Sequence, residues 1–186
     1  MFKLLIVTYT VILACEANIQ VPPPVLCGLI PESLGKCLND PKIVKSEVQI
    51  KCNADVSECE RLDCFFEKSG WIKDAKINKE VMREYLDTFA KDKPEWAPAV
   101  QVAKTACLTS DLLPQGIYLN CPAYDVITCV FNSFMKNAQP SQWKSSEKCR
   151  HARQFAAACP LCPTSCFAPQ IPIGSCNACI ALPRSP

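Results

Sequence analysis

The sequence predicts an all-α fold stapled by disulfides, on three observations. Apolar residues recur at helical spacing in successive segments, and an even set of cysteines follows an N-terminal export signal. Hairpin signals are lacking: the chain has only five glycines in 186 residues and no Asn-Gly or Asp-Gly pair.

The chain opens MFKLLIVTYTVILACEAN, with Lys3 as a short basic start, an apolar run from Leu4 to Cys15, and small residues at Cys15 and Ala17. This pattern predicts a secretory signal peptide over 1–17, cleaved after Ala17 or nearby. No later segment reaches the roughly 18 uninterrupted apolar residues of a spanning helix, so no membrane insertion is expected. Of 15 cysteines, Cys15 leaves with the signal. The 14 that remain are Cys27, Cys37, Cys52, Cys59, Cys64, Cys107, Cys121, Cys129, Cys149, Cys159, Cys162, Cys166, Cys176 and Cys179. An even, dense set in an oxidising compartment predicts a disulfide framework and an extracellular protein.

The first helix is expected over 55–69, capped by Asp55 and stopped at Gly70. A second opens on Asn78 and places Val81, Met82, Tyr85, Leu86 and Phe89 on one stripe. Trp96, Val100, Ala103 and Cys107 mark a third, in which Pro98 is tolerated because it falls in the first turn. Pro122 suits the first turn of a fourth, whose apolar face comprises Val126 or Ile127, Val130, Phe131, Phe134 and Met135. Ser145 or Ser146 caps a fifth, ending near Cys159. Beyond Cys159 the chain holds six prolines and few helix formers, so residues 160–186 are expected as an irregular Pro/Cys-rich arm packed on a single domain of residues 18–159.

Formal charge is +2, with Lys and Arg interspersed among Asp and Glu, so neither a nucleic-acid nor an anionic-membrane surface is expected. Cys159-x2-Cys162 followed by Cys176-x2-Cys179 approaches four-cysteine zinc spacing. The export signal and ten other cysteines favour disulfides instead, and no metal or cofactor is expected. A histidine-dependent catalytic mechanism would have to rest on His151, the single histidine, within a charged helix face. No nucleophile elbow or phosphate-cradling loop accompanies it, and no catalytic residue is assigned. The chain is therefore read as a non-enzyme. Its aromatic, Met and aliphatic side chains suit a cavity for apolar ligands, and the candidate contacts are Phe65, Met82, Tyr85, Leu86, Phe89, Val126, Val130, Phe131, Phe134 and Met135.

The stretch SECERLDCFFEKSGWIKDAKINKEVMREYL, with Cys59, Cys64, Phe65, Gly70, Asp74, Lys76, Ile77 and Asn78, resembles the insect odorant-binding proteins. Cys107, Cys121 and Cys129 follow in an order similar to that family's six-cysteine framework. The additional cysteines, Cys121-Pro122, Cys159-Pro160 and the cysteine-bearing C-terminus resemble its cysteine-expanded Plus-C type. One residue more than the family norm lies between Cys59 and Cys64, and one fewer between Cys121 and Cys129; each shift rotates a cysteine by about 100° around its helix. The resemblance implies six or more short helices around a buried apolar pocket, and the pairs Cys37 (or Cys27) with Cys64, Cys59 with Cys121, and Cys107 with Cys129. It also implies a secreted carrier of odorants, pheromones or other lipophiles, which a membrane receptor could read. The competing expectation is an extracellular inhibitor or defence protein that contacts a protein partner through its C-terminal arm.

Overall fold

A computed structural model describes residues 30–74, 76–112, 121–159 and 161. The expected signal peptide, Cys27, the cysteines after Cys159 and most of the C-terminal arm lie outside these residues. The described fold is all-α and disulfide-stapled. Its helices are α1 (Ser33–Cys37), α2 (Ser46–Lys51), α3 (Glu58–Lys68), α4 (Lys79–Asp92), α5 (Ala97–Cys107), α6 (Pro122–Lys136) and α7 (Arg150–Ala158). Short 3-10 turns at Pro94–Trp96, Pro140–Gln142 and Glu147–Cys149 precede or link them. A two-stranded antiparallel ladder, β1 (Ile72–Lys73) and β2 (Lys76–Ile77), joins α3 to α4 with Ile72 opposite Ile77.

Local chemistry sets these boundaries. The cap of α3 lies two residues after the expected one, because Ser57 rather than Asp55 forms a capping box with Glu60. The Glu60 carboxylate accepts from the Ser57 hydroxyl and backbone N–H, at 2.7 and 2.9 Å, and this holds its pKa below the usual value. The helix ends in a paired C-terminal motif: Gly70 N–H donates to Glu67 O and Trp71 N–H to Phe66 O, with Gly70 at φ +72°. Asn78 caps α4 as expected, its side chain accepting from Val81 N–H at 3.2 Å. Pro98 and Pro122 both fall in first turns. The ladder was not expected; Asp74, at φ +52°, supplies the left-handed residue of its turn in place of a glycine. Helices α1 and α2 were also missed, being too short to show a periodic stripe.

Helices α5 and α6 pack together at the centre, flanked by α4, α3 and α7, while α1 packs on α7. An aromatic chain runs through this core. Phe66 meets Trp71 edge-on at 5.2 Å, Trp71 meets Tyr85 at 5.1 Å, and Phe134 touches both Phe89 and Trp96, at 5.6 and 5.3 Å.

Four bridges link described residues: Cys37–Cys149, Cys52–Cys64, Cys59–Cys121 and Cys107–Cys129. Cys159 is disulfide-bonded as well. The implied Cys37–Cys64 pair does not form. Main-chain bonds from Asn39 N–H to Gln142 O and from Lys144 N–H to Cys37 O tie the end of α1 to the 142–144 segment, which delivers Cys37 to Cys149. Helix α2 meanwhile delivers Cys52 to Cys64.

Candidate ligand cleft

Helix α3, the β1–β2 ladder, the start of α4, the end of α5 and the first turn of α6 surround a cleft of about 700 Å³. Its apolar lining is Ile72 and Ile77 from the ladder, Leu112 after α5, and Pro122, Ala123 and Val126 from α6. The ladder register explains the first pair, since cross-strand partners share one face. Polar lining comes from Asp63 and Glu67, one turn apart on α3, with Lys76, Lys79, Ser110 and Asp125. The Cys59–Cys121 bridge fixes α3 to the start of α6 along one side of the cleft.

Two cations hold the opposite wall. Lys79 Nζ donates to Thr109 O, and the Arg83 guanidinium donates to Leu108 O. Leu108 is the C-cap of α5 and Thr109 follows it, so the two cations sit where they offset the unpaired acceptor and the negative end of the helix dipole. The arrangement anchors the stretch that carries Ser110 and Leu112 to the cleft.

The ten residues expected to contact ligand are not gathered around this cleft. Val126 lines it, Phe65 borders a groove of about 490 Å³ between α2 and α3, and Tyr85 and Phe89 border one of about 350 Å³ beside Trp71. Met82, Leu86, Val130 and Phe134 are fully buried, and Phe131 and Met135 pack half-buried against them. Phe89 of α4 meets Phe134 of α6, α5 packs against both helices, and close packing leaves those side chains as core. Sequence reasoning missed Ile72, Ile77 and Leu112. The symmetric order Ile-Lys, two turn residues, Lys-Ile over 72–77 was the available signal for the first two.

Cys59, Asp63 and Cys121 are the described group whose donor atoms lie close enough for a metal, all within 4.8 Å, but both sulfurs are committed to the Cys59–Cys121 bond. A thiolate ligand requires a free, deprotonated sulfur, so the oxidised site does not fit a metal ion. His151 is exposed at the start of α7, with its ring 6.2 Å from that of Phe155. Among the described residues no helix is long and apolar enough to cross a membrane. Neither a family model nor a curated protein matches the chain.

Proposed function

We propose that the protein is a secreted, non-catalytic carrier of small hydrophobic molecules (odorants, pheromones or other lipophiles), and that the cleft between α3 and α6 holds the ligand. The observation that carries this reading is the cleft itself. Its volume falls in the range of small-molecule sites, its lining combines aliphatic side chains with a few polar groups, and the Cys59–Cys121 disulfide braces its wall. A braced scaffold keeps such a site open at low ordering cost, which favours affinity. The likeness of the Cys59–Tyr85 stretch to insect odorant-binding proteins supports the same reading, as does the export-like N-terminus for secretion.

The test is saturation of the oxidised protein with the hydrophobic fluorophore N-phenyl-1-naphthylamine, followed by displacement with long-chain alcohols, aldehydes and fatty acids. One saturable site is expected. Leu112→Trp, which fills the cleft from a half-buried position, and Ile77→Asp, which places a charge in it, should each weaken binding about tenfold or more. Phe65→Ala, in the α2–α3 groove, should leave it unchanged. Absence of saturable binding overturns the carrier reading; wild-type affinity in both cleft variants overturns the assignment of the site.

A further inference from the structure

We infer that the face formed by α1, the 144–149 segment and α7 is a docking surface for a linear sulfated polysaccharide. This site is distinct from the cleft and independent of what the cleft binds. Lys36, Lys144, Lys148, Arg150 and Arg153 converge there from stretches more than a hundred residues apart in sequence. The Cys37–Cys149 bridge sets the two backbones 5.4 Å apart at Cα, and Lys36, Lys148 and Arg150 are immediate neighbours of its cysteines. Lys144 Nζ donates to Lys36 O at 2.6 Å, and Arg153 donates to Lys144 O at 2.7 Å. On α7, Ala152, Phe155 and Ala156 are buried while Arg150 and His151 are exposed.

Charge neutralisation on these elements is small. The carboxylates on these elements are Glu147, paired with Arg150 at 2.7 Å, and Glu32 beside α1. Five cations against two carboxylates leave +3 on a face of a chain whose whole formal charge is +2. Residues 18–29, 113–120 and 160–186 contain no Asp or Glu, so these stretches add no carboxylate side chain to the face. With 5.4 Å between the bridged Cα atoms and about 3.8 Å per residue step, Lys36 lies within about 13 Å of Lys148 and Arg150 at Cα, close enough for one extended polyanion to span them.

Among the described residues this face carries no large exposed hydrophobic side chain, which selects among polyanions. The large exposed hydrophobics among the described residues are Ile50, Val56 and Val102, on α2, the turn after it and α5. Stable membrane docking adds buried apolar side chains to charge, and protein partners bind through buried aromatic or aliphatic anchors. A sulfated chain asks only for cations at intervals on a rigid surface, with lysines as point charges and arginines as forks.

The test is binding of the full-length oxidised protein to immobilised heparin. Lys36→Gln/Lys144→Gln/Lys148→Gln would be compared with the charge-matched control Lys51→Gln/Lys68→Gln/Lys91→Gln. At about 0.1 M salt the face variant should weaken binding about tenfold or more and flatten its salt dependence, while the control changes it less than about twofold. Mass-spectrometric detection of the Cys37–Cys149 bridge in both variants shows that each retains the fold. The proposal is overturned if wild-type protein is not retained, if both variants weaken equally, or if phosphatidylserine–phosphatidylcholine vesicles bind more tightly than heparin and lose that binding in the face variant.

Discussion

Tyr85 joins two distant parts of the chain: its hydroxyl donates to the Ile43 carbonyl at 2.6 Å from a half-buried position on α4. Burial disfavours the phenolate and raises the pKa above its ordinary value near 10. The neutral phenol is therefore held more tightly in the fold than in the unfolded chain. Stability from this group is fully present below about pH 10 and is lost as the pH rises through the raised folded value. Tyr85→Phe should cost about 1 kcal/mol at neutral pH, through the lost hydrogen bond, and should reduce the loss of stability above pH 10. Urea unfolding at neutral pH and above pH 10 measures both effects. In the sequence Tyr85 reads only as a member of an apolar stripe, because its acceptor is contributed by a loop 42 residues away.

The end of α3 shows how far an element can be read from sequence. Gly70 was legible as a helix stop, and the structure adds the reason: a left-handed residue there lets two amides close onto the last carbonyls, while Trp71 packs on Phe66. A Cβ on Gly70 would meet no atom within 4 Å, so the penalty of substitution is conformational rather than steric. Gly70→Ala should destabilise the protein by about 1–2 kcal/mol, read by chemical denaturation, with ligand affinity changed only in proportion to unfolding. The start of the same helix was less legible. Asp55 and Ser57 are both competent caps, and the reciprocal bond from Glu60 selects Ser57.

At the scale of the whole molecule, two bridges close loops of very different length. Cys37–Cys149 spans 112 residues and ties α1 to the start of α7, whereas Cys52–Cys64 spans 12 and ties neighbouring helices. In the chain-entropy account, removing the longer bridge should cost about 1–2 kcal/mol more, the other bridges shortening its effective loop. Thermal unfolding of Cys37→Ser/Cys149→Ser against Cys52→Ser/Cys64→Ser measures the difference. Equal costs would show that the bridges act through local packing instead.

Composition and periodicity by themselves determined the all-α class, five of the seven described helices, the placement of Pro98 and Pro122 in first turns, and the presence of a disulfide framework. These are local properties, set within a few residues by side-chain spacing, caps and turn chemistry. Tertiary structure alone decided which cysteine meets which at Cys37, and that most stripe residues of α4 and α6 are buried as core. It also decided that Ile72, Ile77, Leu112 and Val126 converge on a cleft. The same holds for charge: cations that read as interspersed along the chain become one face when the Cys37–Cys149 bridge brings Lys36 beside Lys148 and Arg150. Sequence spacing governs neighbours on one helix, whereas a site or a surface depends on contacts between helices that local pattern does not encode.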